Sequence, residues 1–257
     1  FVQMRNTLAT AAEIAARAAP DGYTFLVSSN AILVFNPSLY KNLPYNAERD
    51  FIPVARGVRS PLVFASHPSL PVKTLPALMA LGKREPAKLP YGSSGAGSTP
   101  NLVMKLLEET SGARFVHVAY KGIGQAAQGL LRGETAFMAS DIGPLLPHIR
   151  SGRVLALAVT EQTPQLPETP TLAAVGYPQI EASASFMVVA PTGTPLTIVQ
   201  RMNTEIIKVM KSLASRERLD SQGFIPAFDT PDAFALSLKK ERQMWAEVIR
   251  RNNITVD

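Results

Sequence analysis

Short apolar runs alternate with helically patterned segments along most of the chain, and Gly, Pro, Ser and Asn mark the breaks. That alternation constrains the fold more than any other feature. A strand followed by a helix and a further strand places the strands parallel, with helices covering both faces of the sheet. The stretch Thr7–Ala19 reads as a helix: Glu13 and Arg17 stand four residues apart in the stabilising order, and Pro20-Asp21-Gly22 stops it. Strands are expected at Tyr23–Val27, Phe51–Val58, Leu62–Ser66, Leu89–Tyr91, Phe115–Val118, Thr135–Ala139, Val154–Val159 and Phe186–Ala190. Helices are expected at Leu75–Lys83, Thr99–Ser111, Gly124–Leu131 and Leu145–Ser151, and two long ones, Leu196–Ser212 and Pro231–Arg251, close the chain. Thr163–Pro178, with Pro164, Pro167, Pro170 and Pro178, is a loop-rich connection.

The pattern defines an α/β chain with mostly parallel sheets. Two segments rich in Gly, Pro, Ser and Thr, Tyr91–Gly97 and Val188–Pro195, read as crossings between lobes. They divide the chain into a discontinuous first lobe, residues 1–92 plus 196–257, and a second lobe, residues 93–195. A length of 257 residues with 46% hydrophobic residues suffices for full cores and excludes a disordered chain. The absence of cysteine excludes disulfides, thiol nucleophiles and cysteine-ligated metals. No apolar run approaches the ~18 residues of a membrane-spanning helix, so direct membrane insertion is not expected. The net charge of +6 is scattered, and Lys239-Lys240 and Arg250-Arg251 are only doublets. A nucleic-acid groove needs clustered cations with interleaved aromatics, so no nucleic-acid partner is expected. A positive chain suits small anionic ligands.

The most informative motif is Tyr91-Gly92-Ser93-Ser94-Gly95-Ala96-Gly97-Ser98-Thr99-Pro100, which joins an expected strand to an expected helix. Its glycines permit tight turning, and the free amides of the helix start can hold an anion. No Lys precedes Ser98, as a nucleotide P-loop would require, and the spacing matches neither G-x-G-x-x-G nor G-x-S-x-G. Two readings remain: anion capture, or a loop that merely connects two elements. His67, His117 and His148 lack metal-ligand spacing, so neither a metal nor a cofactor is expected, and His117 reads as a core histidine. Asp141 follows Phe137–Ser140 at a strand end, where it either reaches a ligand or caps the next helix.

The ordered motifs resemble the substrate-binding receptors of tripartite tricarboxylate transporters, the Bug or TctC family of extracytoplasmic solute receptors. The resemblance is carried by Ala18-Ala19-Pro20-Asp21-Gly22-Tyr23-Thr24, Asn36-Pro37-Ser38-Leu39-Tyr40, the Tyr91–Ser98 loop, and Val118-Ala119-Tyr120-Lys121-Gly122. Leu155–Thr160, Leu166–Thr171, Gly176-Tyr177-Pro178 and Ala190–Pro195 complete the series. It implies a type II periplasmic binding-protein fold in which two lobes close on a small carboxylate. It also implies a ligand site built from Ser28, Ser29 and Asn30, from Ser93, Ser94, Gly95, Ala96, Gly97 and Ser98, and from Asn101, Tyr120, Lys121, Asp141 and Phe186. Asn101 and Phe186 stand where family members commonly carry His and Trp. The family's opening strand and Pro-Pro-Gly-Gly loop are not matched, and Met4-Arg5-Asn6-Thr7-Leu8 replaces its next glycine-rich block. The expected sheet therefore lacks its first strand, and the chain carries no signal peptide although the resemblance implies a periplasmic location.

The resemblance and the motifs together imply a receptor for a small organic acid, a carboxylate or amino acid, without catalysis. It would be read by membrane transporter subunits or a sensor protein. Two alternatives stand beside it: a hydrolase using Ser93 or Ser94, for which no base is predicted within reach, and a truncated sensory or interaction module.

Overall fold

A computed structural model describes the backbone of residues 2–180 and 182–255 and the side chains of residues 9–180 and 182–255. In chain order the elements are α1 (Val2–Ala16), β1 (Leu26–Ser29), a π-helical turn (Ala31–Phe35), α2 (Asn36–Leu39), β2 (Phe51–Ser66), α3 (Leu75–Arg84), β3 (Pro90–Ser93), α4 (Thr99–Ser111) and β4 (Val116–Ala119). There follow α5 (Ile123–Leu131), β5 (Phe137–Asp141), α6 (Ile142–Arg150), β6 (Leu155–Val159), β7 (Ser183–Pro191), α7 (Leu196–Lys211), α8 (Leu213–Ser221), β8 (Ile225–Pro226) and α9 (Pro231–Arg251).

Helix limits follow local chemistry. Ser98 opens α4 by accepting from the Asn101 amide, Pro100 sits in the first turn, and Gly112 ends the helix at a φ of 75°. Thr74 and Thr230 cap α3 and α9 in the same way, each ahead of a proline in the first turn. The first strand begins later than its apolar run suggests. Tyr23 is 92% exposed, and its amide is held in a turn by the Asp21 carboxylate.

The chain forms two compact units. One comprises the residues up to Arg59, Ser185–Leu219 and those from Ile225 onward; the other comprises Ser60–Ala184 and Asp220–Phe224. The expected boundaries at 92/93 and 195/196 are thereby moved: residues 60–92 belong to the second unit and 185–195 to the first. The reason is β2. Two strands were expected around Ser60-Pro61, yet residues 51–66 form one extended segment. Pro61 falls between the residues paired with β8 (Val58 and Arg59) and those paired with β5 (from Leu62 onward). Its missing N–H therefore interrupts neither of these ladders. The chain passes between units inside β2, at the start of β7 and around residues 220–224, and not at the two Gly- and Pro-rich loops.

The sheets are mixed, which corrects the mostly parallel expectation. In the first unit β7 lies between β1 and β2, with β1 and β7 antiparallel and β8 antiparallel to β2. In the second unit β2 pairs antiparallel with both β5 and β6, while β5, β3 and β4 pair parallel with one another, and β6, on the far side of β2, runs in their direction. Strand–helix alternation holds through β3, α4, β4, α5 and β5, and there it does produce parallel neighbours. The long strand is the exception: α3 links it to β3, yet it lies beside β5 and β6 and antiparallel to both.

The second unit's core gathers Val63 and Ala65 of β2, Met138 of β5, Leu130 of α5, and Ile142 and Leu145 of α6. Tyr91, Phe115 and Phe137 form an aromatic layer beside it, with Phe115 edge-on to Phe137 at 4.7 Å. The first unit packs Val54, Ala55, Ala190 and Val199 together, and Phe35 meets Trp245 edge-on at 5.3 Å. It also buries Arg56, whose guanidinium donates to Ser237, Ser185 and Glu241, the last at 2.6 Å.

Removing one partner of a buried ion pair leaves the other charge desolvated and unpaired. Glu241→Ala removes the nearer of two carboxylates on Arg56, the other being Asp229 at 3.5 Å, and is expected to lower the unfolding free energy by about 2 kcal/mol in urea denaturation. Glu85→Ala, which disrupts exposed pairs at 3.9 Å, is expected to cost less than about 1 kcal/mol.

Candidate functional site

In the parallel part of the second unit, Gly92 stands opposite Met138 on β5, and Ser93 opposite Ala119 on β4. All three strands end at one edge. There β3 passes into residues 94–98, β4 into Tyr120-Lys121-Gly122, and β5 finishes at Asp141. Carboxyl ends of parallel strands are where α/β sheets bind ligands.

Within the loop, most side chains hold the backbone. Ser93 Oγ accepts from the Gly95 amide at 3.1 Å, and Ser98 Oγ donates to the Gly95 carbonyl at 2.7 Å. Asn101 Nδ2 donates to the Ala96 carbonyl at 2.7 Å, while its Oδ1 accepts from the buried Tyr91 hydroxyl at 2.9 Å. Gly95 has a φ of 125°, a conformation that glycine alone adopts readily. This bracing leaves the backbone amides of Ser94, Ala96 and Gly97, and the Ser94 hydroxyl, without partners among the described residues. The start of α4 adds the positive end of its dipole, its first amides being absent at Pro100 or taken, that of Asn101 by Ser98 Oγ and that of Leu102 by the Ser98 carbonyl. The result is a cluster of neutral donors suited to a carboxylate.

His117, expected to be a satisfied core residue, is half-buried beside this loop. Its Nε2 lies 2.7 Å from Ser93 Oγ, and its ring stacks on Tyr91 at 5.0 Å. Burial, followed by the Lys105 charge, pushes its pKa down to about 4. The imidazole is therefore neutral at physiological pH. Among the described residues no carboxylate bonds to its other ring nitrogen.

Tyr120 contributes its amide to the Ser93 carbonyl at 2.9 Å, but its hydroxyl turns to Glu134 at 3.3 Å. The ring covers Gly129 so closely that a Cβ there would overlap the hydroxyl. Lys121 is exposed, and its ammonium makes no ion pair among the described residues. Asp141 occupies the N-cap position of α6 yet makes no side-chain cap bond. Its Oδ1 is shut off from solvent without a hydrogen-bond partner, and so is Ser60 Oγ. Burial raises the Asp141 pKa. The Ser60 hydroxyl is close enough to moderate that rise, although no bond of good geometry forms between the two groups.

The remaining expected residues lie in the first unit. Ser29 stands opposite Phe186 in the β1–β7 ladder, and the Phe186 side chain is 41% exposed. Ser28 is buried with its hydroxyl directed at the Ser29 carbonyl. Asn30 is buried: Nδ2 donates to Glu241 at 3.1 Å, and Oδ1 accepts from the Ser185 amide. It therefore positions the strand end. A cavity of about 460 Å³ also opens in this unit near Tyr40, Tyr45 and Arg242, and no expected ligand residue lines it. Arg242 is committed there to the carbonyls of Leu33 and Ala47 and to Glu48, so an anion finds no free guanidinium. His117 and Ser60 are the additions to the expected set. Neither carries a sequence signal, because each depends on strand register.

Strand ends of parallel β-strands carrying an amide-lined loop, within a two-unit α/β chain, are the architecture of a periplasmic binding protein. The chain belongs to the tripartite tricarboxylate transporter family receptors, TctC, whose family model matches residues 6–254. It is 36% identical to protein BugT of Bordetella pertussis over 91% of this chain and 73% of that protein. Two solved structures are similar along most of their length. R. palustris Rpa4515 with adipate has a TM-score of 0.86 at 29% identity, covering 96% of this chain and 84% of that one. MatC from Rhodopseudomonas palustris with bound malate has a TM-score of 0.81 at 27% identity, covering 94% and 84%.

The depressed His117 pKa has a stability consequence. An unfolded histidine titrates near 6.5, so between that value and about 4 the unfolded chain binds the extra proton and the folded chain does not. Stability is expected to fall across that window as the pH drops. After allowance for partial exposure, the effect is on the order of 1–2 kcal/mol. His117→Gln should lose less stability than the wild type between pH 7 and 4.5 in paired urea melts.

Proposed function

We propose that the protein is a periplasmic receptor that captures a small organic acid on the second unit's loop and presents it to a tripartite tricarboxylate-type transporter or a sensor protein, without chemistry of its own. The observation that carries this reading is the set of unpartnered donors at Ser94, Ala96 and Gly97, braced by Ser93, Ser98 and Asn101. Neutral amides that are already oriented hold a carboxylate with little reorganisation and without a competing lysine. Family membership supports the receptor role, and the adipate and malate in the two R. palustris structures support a carboxylate ligand. Among the described residues no helix is long and apolar enough to cross a membrane.

The Ser93–His117 pair favours a second reading, a serine hydrolase. It bears against that reading that the imidazole is a weak base with no orienting carboxylate, and that Ser93 is buried. A fluorophosphonate probe separates the two readings: the receptor leaves Ser93 unlabelled.

Thermal melting against mono- and dicarboxylic acids, adipate and malate included, tests the receptor. An acid present at a hundred times its Kd stabilises by about 2.7 kcal/mol, a shift of several degrees. Ser94→Ala is expected to weaken the best acid by roughly 2- to 10-fold through loss of one hydrogen bond. A panel in which no acid moves the melting temperature contradicts the proposal.

A further inference from the structure

We infer that His117 is a positioning residue for ligand capture: through Ser93 it sets the turn of the glycine–serine loop before a ligand arrives, so that affinity for the acid depends on a ring bonded behind the donors. This inference rests on the proposed capture of a carboxylate by the loop and adds the residue that prepares the loop for it.

A loop that contains Gly95 and Gly97 loses much conformational entropy when it is ordered. Donors that hold a ligand with little reorganisation are therefore fixed beforehand by groups around them. From α4 and its cap, Asn101 holds the Ala96 carbonyl and Ser98 holds the Gly95 carbonyl. The Gly95 amide is held differently. Ser93 Oγ receives it at 3.1 Å, and His117 Nε2 lies 2.7 Å from that same oxygen. The one tie to the loop that comes from β4 through a side chain is thus the His117 ring.

The ring is delivered from a fixed background. Phe137, Tyr91 and His117 stand level across β5, β3 and β4, and residues level in a sheet share a face. Their rings form a row: Tyr91 stacks on Phe137 at 5.7 Å and on His117 at 5.0 Å. Ser93 stands two residues beyond Tyr91 on the same face of β3, diagonally from His117. With strands about 4.8 Å apart and a rise of about 3.3 Å per residue, that diagonal is one a histidine spans to reach a serine hydroxyl. The entry to β4 is fixed as well. Buried Glu108 of α4 accepts from the Phe115 amide at 2.7 Å and from Lys105 Nζ at 2.8 Å.

Stacking sets the plane of the ring, and the hydroxyl sets its rotation within that plane. A histidine present only to fill the row would be replaced without loss by another flat ring. Phenylalanine keeps the row and lacks the nitrogen. Glutamine gives up the row and carries a polar atom about as far from its backbone as Nε2. The two substitutions therefore separate packing from the bond to Ser93.

Amide hydrogen exchange in the ligand-free protein tests the loop. The Gly95 and Ser98 amides are expected to exchange at least 10-fold faster in His117→Phe than in wild type, with the amides of β5 within 3-fold; His117→Gln should stay closer to wild type. Calorimetric titration with adipate, malate, succinate and glutarate tests the capture. His117→Phe is expected to weaken the tightest of the four at least 5-fold and His117→Gln less than 3-fold. In a Ser93→Ala background the change to phenylalanine should alter affinity less than 2-fold, because the ring acts through that hydroxyl. Wild-type exchange at Gly95 and Ser98 in His117→Phe, or a loss of affinity that persists in full in the Ser93→Ala background, overturns the role of His117 and leaves the carboxylate loop standing. If His117→Phe does not fold, Ser93→Ala decides by itself: wild-type exchange and affinity without that hydroxyl overturn the role. Binding of none of the four acids by wild type counts against the carboxylate loop itself and overturns the role of His117 in capture, whatever the exchange rates.

Discussion

The strand Phe51–Ser66 is the constraint on which the rest of the structure depends. Its first half lies in one sheet and its second half in another, so each unit is organised around part of the same extended segment. Val54 and Ala55 enter the first unit's core, and Val63 and Ala65 enter the second's. Residues 60–66 are buried on both faces of the strand, as in a sheet covered on both sides, so neighbours on both faces hold this half in place. Buried backbone groups must also be paired, and residues 62–66 meet this by bonding β5 on one side and β6 on the other. The antiparallel entry of this strand makes the sheets mixed, and it leaves β5, β3 and β4 as a parallel group whose ends come together.

At that edge, structural and binding duties are divided between side chain and backbone. Ser93, Ser98 and Asn101 look like ligand-contacting residues in the sequence, yet their polar atoms close hydrogen bonds inside the loop. The tie from Tyr91 to Asn101 anchors the loop to the aromatic layer beneath it. The donors left over belong to the backbone, whose geometry the bracing fixes. In the proposed receptor role such donors would hold a carboxylate by its two oxygens alone, whatever else the molecule carries.

Much of this was readable from residues alone, and the errors share one cause. The glycine–serine loop was identifiable because positive φ, helix capping and anion binding all leave local signatures: Gly95, Ser98 with Asn101, and the proline in the first turn. Helices α4, α5 and α7 were recognisable for the same reason. What depended on pairing between distant segments was not. The continuity of β2 through Pro61 requires knowing which residues pair on each side of it, and the lobe boundaries follow from that strand. The bond of Asn30 to Glu241, which lies 211 residues away in sequence, has no local signature either. His117 could not be assigned to Ser93 without the register that aligns β3 with β4.

The Ser93–His117 contact shows why proximity of nucleophile and base does not by itself define chemistry. A general base is most effective when its pKa lies near the working pH and a third group steadies the imidazolium that forms. Here both conditions run the other way. Burial and the positive charge of Lys105 disfavour the imidazolium, and no carboxylate approaches the far nitrogen among the described residues. Stacked on Tyr91 and bonded to a serine that also receives the Gly95 amide, the neutral ring acts as a wedge that fixes Ser93. By fixing Ser93 it holds the turn that exposes the amides of Ser94, Ala96 and Gly97. The same suppressed basicity that weakens a catalytic reading suits the loop, because a positive charge at that point would have to be desolvated beside the stacked Tyr91 ring.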